Sequence, residues 1–94
     1  MPRMQTLETL LASAFSPEHL DVLDESHGHA VPRGSQSHAR VVVVSSSFAG
    51  MSRIARHRRV LDAAGPVLEQ GLHALAIEAW TPDEWLARGS APVS

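Results

Sequence analysis

Residues 40–59 read RVVVVSSSFAGMSRIARHRR, and this stretch decides the fold. Four consecutive valines are β-branched and put apolar side chains on both sides of a pleat, so Arg40–Ser46 reads as a central strand covered on both faces. Phe48-Ala49-Gly50 then turns the chain, and Ser52 is of the type that caps a helix N-terminus. The helix that follows carries Ile54, Leu61, Ala64 and Leu68 on one apolar stripe. His57 falls on the same stripe, between Ile54 and Leu61, which predicts a partly buried, hydrogen-bonded histidine of structural role. Gly65-Pro66 interrupts the pattern. A proline lacks the N–H and clashes with the carbonyl four residues back, so a break is expected near Ala64, with Pro66 starting a last short turn.

Upstream, Leu7, Leu10, Leu11 and Phe15 have the spacing of an amphipathic helix, with Thr6 as its expected N-cap. Ser16-Pro17 ends it, because the residue before proline is pushed out of the α region. Leu20-Asp21-Val22 alternates, which predicts a strand over 18–25. Residues 26–37 hold Gly28, Pro32, Gly34 and three serines and read as a loop, long enough to be a functional one. Downstream, Leu75, Ile77 and Ala79 alternate with Ala76, Glu78 and Trp80 and predict a third strand over about 73–80. Thr81-Pro82-Asp83-Glu84 combines an N-cap threonine, a proline at the first helical position and a glutamate at the third, which is a capping box. It opens a short helix through Trp85 to about Ala87.

The chain has 94 residues, 44% apolar and 19% charged, which suits one small globular domain. The expected organisation is a single domain over 1–94, with an ordered core over about 4–88 and a flexible tail over 89–94. There is no cysteine, so the chain offers no disulfide, no thiol nucleophile and no thiolate for a metal. The N-terminus lacks a basic segment followed by an apolar run, and Val41–Val44 is far too short to span a bilayer, so no membrane association and a cytoplasmic location are expected. The net charge is only −2, but it is unevenly spread. Residues 26–61 hold Arg33, Arg40, Arg53, Arg56, Arg58 and Arg59 and no acid, while all ten acids lie outside that segment. A basic middle suits an anionic partner surface or nucleic acid, and equally a solvated face. Enzyme signals are weak: Ser45-Ser46-Ser47 lacks the turn context of a nucleophile, and Asp24-Glu25 with His27 is a set that adjacent loop residues form by accident.

Several segments, in order, resemble the BolA family. They are Val22–Ser26, then His29-Ala30-Val31-Pro32-Arg33-Gly34-Ser35-Gln36-Ser37-His38, Val41–Ser45 with Phe48-Ala49-Gly50, Arg56-His57-Arg58, His73-Ala74-Leu75, and Thr81-Pro82-Asp83-Glu84-Trp85. The resemblance implies an α+β fold within the broad α/β class: a three-stranded mixed sheet with helices on one face, in the order α-β-β-α-β-α, similar to the type II KH fold. It also implies a non-enzymatic protein that pairs with a monothiol glutaredoxin and shares a [2Fe-2S] cluster with it and with glutathione, acting in iron–sulfur trafficking or in iron and stress regulation. Some family members are described as DNA-binding transcriptional regulators. Gly65-Pro66 departs from the helix-favouring residues usual in the family, and Ala39 stands where an aromatic is common.

Six histidines are the chain's imidazole ligands, and with no cysteine here any thiolate must come from the partner. The resemblance assigns His73 as one cluster ligand and His29, in the long loop, as the second, with His27 as the competing choice. His38 is expected to be structural or near the partner, and His19 carries no signal. Arg53, Arg56 and Arg59 recur every three residues along the helix, with Arg58 beside them, and suit phosphates or the carboxylates of a partner or of glutathione. Against nucleic acid, the isoelectric point is near 6.3 and aromatics are scarce. The chain alone is expected to be a monomer or a weak homodimer.

Overall fold

The computed structural model describes residues 3–25, 38–72 and 74–90, so His27, His29 and His73 lie outside the described residues. The elements are α1 (Arg3–Phe15), β1 (His19–Asp24), β2 (His38–Val44), α2 (Arg53–Ala63), α3 (Gly65–Glu69), β3 (Ala74–Trp80) and α4 (Pro82–Ser90), with one 3₁₀ turn at Ser46–Phe48. The break expected at Gly65-Pro66 is where α2 gives way to α3, with proline in the first turn of the new helix. The strands form one sheet in the order β1-β2-β3. β1 runs antiparallel to β2, and β3 runs parallel to it, so the sheet is mixed.

Alternation along the strands assigns the two faces. Ala39, Val41 and Val43 of β2 meet Leu7, Leu11 and Phe15 of α1, Val60 of α2 and Val67 of α3 in the core. Val42 and Val44 point to the other face and are still 8% and 1% exposed. On that face His19 and Trp80 flank Val44 in register. The Trp85 ring of α4 stacks on His19 at 4.9 Å and meets Trp80 edge-on at 5.6 Å. The valine run is thus covered on both sides as expected, by three helices on one face and by a small aromatic group on the other.

The strand ends two residues earlier than expected, because Ser45 has other partners. Its hydroxyl donates to the Phe15 carbonyl at 2.8 Å and accepts from the Ser47 N–H at 3.1 Å. The Ser45 N–H still makes a last bond to the Trp80 carbonyl at 2.9 Å, and its hydroxyl, by satisfying backbone groups locally, opens the 3₁₀ turn. That turn delivers Phe48 into the core, fully buried, with its ring 5.0 Å from that of Phe15.

Three expectations are corrected. Thr6 is not an N-cap: α1 begins at Arg3, and Thr6 lies inside it. The extra turn is held by tertiary contacts, since Met4 packs on the core and Arg3 Nε donates to the Gln70 carbonyl at 3.1 Å. The stripe of α2 is also displaced. Ala64 is buried as expected, but Ile54 is 67% exposed while Val60, off the expected stripe, is fully buried, so the helix is turned by roughly a quarter turn from the orientation its apolar residues suggest. His57 consequently faces solvent and is not the partly buried structural histidine expected from its spacing. Lastly, α4 runs past Ala87 to Ser90. Arg88 sustains it by lying over the Trp85 ring at 3.3 Å and donating to the Trp85 carbonyl at 3.0 Å.

Candidate functional site

Two regions carry the candidate residues. The first is the end of the sheet where β1 stops and β2 and β3 start. The Glu25 N–H donates to the His38 carbonyl at 2.9 Å, and His38 lies opposite Ala74 in register. Residues 26–37, with His27 and His29, therefore leave and rejoin the described chain at this one end. Residue 73 joins the chain to Ala74 at the same end. Both neighbours of residue 73 are anchored: Leu72 is 3% exposed and its N–H donates to the Val67 carbonyl at 3.3 Å, and Ala74 is in the ladder. Gly71, at φ +115°, makes the turn out of α3 that sets Leu72 into the core, a conformation open to glycine and strained for other residues. Arg40 braces the three strands here, with Nε 3.2 Å from Glu25 and Nη1 3.1 Å from Glu78. The hydrogen bond to Glu25, then that to Glu78, raises the Arg40 guanidinium above its ordinary pKa, so it stays charged. Among the described residues no three His, Cys, Asp or Glu side chains gather into a metal site.

The second region is the seam of α2, β3 and α4. Arg56 is committed to the protein itself. Its Nε donates to the Met51 carbonyl at 3.1 Å, and Nη1 to the Ala79 carbonyl at 3.2 Å. The fork also grips Glu84, Nη1 to Oε1 at 2.6 Å and Nη2 to Oε2 at 3.1 Å. Its side chain is only 13% exposed. Glu84 is at the same time the reciprocal partner of Thr81, taking the Thr81 N–H at 2.9 Å while Thr81 Oγ1 accepts the Glu84 N–H at 3.2 Å. The capping box read from the sequence is therefore present and also serves as the anchor of Arg56. Arg53, Arg58 and Arg59 are exposed, and none has an ion pair among the described residues. The expected stripe of three arginines thus divides into one internal brace and two cations at the surface. Arg53, Arg56, Ile77, Glu78, Ala79, Trp80 and Glu84 line a groove of about 510 Å³.

The Arg56 fork, followed by the Thr81 N–H, lowers the Glu84 pKa from 4.5 to about 2. A carboxylate with a depressed folded-state pKa contributes stability above its unfolded value and loses it as pH falls through its folded value. The contribution of Glu84 is therefore present above about 4.5 and fades between 4.5 and about 2. Thermal melts of the wild type and of Glu84→Gln across this window are expected to converge as the pH falls, because the variant has nothing to lose at that position.

The sequence reading missed His19. The structure sets its Nε2 2.8 Å from Asp21 Oδ2 and stacks its ring on Trp85. The only signal available was the i, i+2 spacing that puts His19 and Asp21 on one face of a strand.

A model of the family described as BolA-like protein matches residues 11–84. The chain is 50% identical over 84 residues to the BolA-like protein 1 of Mus musculus, covering 89% of this chain and 61% of that one, so it spans about three fifths of that relative. It is 48% identical over 79 residues to the DNA-binding transcriptional regulator BolA of Vibrio cholerae, covering 84% of this chain and 74% of that one. Among solved structures, the BolA1 of Arabidopsis thaliana superposes with a TM-score of 0.83 at 34% identity, over 89% of this chain and 96% of that one.

Proposed function

The chain belongs to the BolA-like family, and from that premise we propose that it is a non-enzymatic adaptor that binds a monothiol glutaredoxin and shares a [2Fe-2S] cluster with it. The observation that carries this reading is the convergence at one sheet end. The segment with His27 and His29 opens and closes at the Glu25–His38 bond, and residue 73 joins Ala74 opposite His38. The donor set fits a shared group: the chain has no cysteine, so its own ligands would be imidazoles, from His73 first and His29 second, with His27 in reserve. The partner's cysteine and glutathione would bring the thiolates. A cluster held partly by neutral histidines has a higher reduction potential than an all-thiolate one. In this reading Arg40, bonded to Glu25 and Glu78, holds together the strand ends to which the histidine-bearing segments connect. The work is done in the cytoplasm, in iron–sulfur trafficking or in iron and stress regulation.

The test is to mix the protein with a cluster-loaded monothiol glutaredoxin and record visible absorption and circular dichroism. His73→Ala is expected to abolish the mixed-ligand spectrum and His29→Ala to weaken it, with His27→Ala run beside them. An unchanged spectrum on mixing the wild-type protein rejects the reading. A second reading, a DNA-binding regulator, is supported by the exposed Arg53, Arg58 and Arg59 and by the name of the Vibrio cholerae relative. It requires duplex binding that weakens steeply with salt. Loss of binding in Arg58→Ala/Arg59→Ala at unchanged stability would support it.

A further inference from the structure

β3 is an edge strand, paired with β2 on one side only among the described residues. In a parallel ladder a residue's N–H and C=O point to the same side, alternating along the strand. The Trp80 carbonyl accepts from the Ser45 N–H, so Trp80, Glu78 and Ala76 face inward to β2. The Ala79 carbonyl instead meets Arg56, so Ala79, Ile77 and Leu75 face outward. Arg56 caps this outer edge at one carbonyl. The N–H groups of Leu75, Ile77 and Ala79 and the carbonyls of Leu75 and Ile77 have no partner among the described residues. Unlike a shielded edge, this one is not blunted by lysine, proline or a bulge.

The groove beside it is lined by residues from both faces of β3, Ile77 and Ala79 from one and Glu78 and Trp80 from the other. Side chains of opposite faces share a groove only along the strand's edge. Arg53 forms its rim on α2 and Glu84 on α4. The two carboxylates in the groove are already answered, Glu84 by Arg56 and Glu78 by Arg40. The charge left over is that of Arg53, with Arg58 and Arg59 exposed on the same helix.

We infer that the outer edge of β3 is a docking site for an extended acidic segment of a partner protein, which adds as a fourth strand. Its backbone pairs with Leu75 and Ile77, the pairing mode of strand addition at a sheet edge. Apolar side chains of the segment enter the groove over Ile77 and Trp80, and a carboxylate meets the Arg53 fork. This site lies on a different edge of the sheet from β1 and does not use the histidines, so it stands or falls apart from the cluster-sharing role.

The test is a selection of random heptapeptides displayed on phage with the full chain as bait, followed by titration of the ¹⁵N-labelled protein with synthetic copies of the enriched peptides. The expected result is enrichment of sequences that alternate apolar with acidic residues. Amide shifts and slowed hydrogen exchange are then expected at Leu75, Ile77 and Ala79, and Arg53→Glu weakens binding about tenfold or more. Absence of enrichment, or enriched peptides that shift other amides, overturns the proposal. So does concentration-dependent protection of these amides without peptide, which assigns the edge to a second copy. Duplex DNA that shifts the same amides while no peptide does assigns it to nucleic acid and overturns the proposal as well.

Discussion

Replacing Phe48 by alanine is expected to destabilise the domain by about 3–5 kcal/mol, the range for truncating a fully buried aromatic. Phe48 is wholly buried, and its ring contacts Phe15 at the end of α1. It is held there by a turn that Ser45 caps, so the neighbouring backbone has little freedom to collapse into the vacated space. The loss joins the apolar transfer of the ring to the cavity left behind, and both fall on the junction of α1 with the sheet. A domain of this size has a total stability of about 5–15 kcal/mol, so the loss removes a large fraction of it. Urea denaturation is the measurement. The midpoint is expected to fall sharply with the slope little changed, and Tm to drop by on the order of 20 °C. Phe48→Leu, which keeps most of the volume, should recover the larger part.

Arg56→Ala is expected to cost about 2–3 kcal/mol, a large effect for an arginine in a segment that reads as a basic surface. The variant loses two hydrogen bonds to backbone carbonyls and a bidentate grip on Glu84. It also leaves the Ala79 carbonyl without its donor and removes the tie between α2 and α4. Arg56→Lys keeps the charge but has no planar fork, so it is expected to recover less than half of the loss. A double-mutant cycle with Glu84→Gln separates the carboxylate from the carbonyl contacts, and a coupling near zero would refute the brace. Arg58→Ala and Arg59→Ala are expected to stay within about 0.5 kcal/mol of the wild type, as exposed substitutions do. The comparison matters for function: a loss of partner or DNA binding in Arg56→Ala reports on the fold, and a loss in Arg58→Ala or Arg59→Ala reports on the surface.

Much of the architecture was legible locally. The four valines, the alternation of β3, the proline break and the capping box each depend on residues within one turn or one pleat, and each appears where its local chemistry puts it. The family resemblance was legible for the same reason, since its segments are short and ordered. The placing of the histidines was less so. The contact of His19 with Trp85 has no local signal, because Trp85 comes from an element that folds back from the far end of the chain. His57 was misread because a helical repeat states which residues share a face and not which face turns inward.

The sequence by itself determined the elements, their order, their breaks and the lack of any thiolate ligand in this chain, because periodicity, capping and the absence of cysteine are properties of neighbours and composition. Only the tertiary structure decided the rotation of α2, and with it which arginine is drawn into internal bonds and which are exposed. The physical reason is distance along the chain. The face of α2 is chosen by Val60 entering the core and by Arg56 meeting Ala79 and Glu84 on β3 and α4. Those contacts outweigh the gain from burying Ile54, and no local pattern contains them.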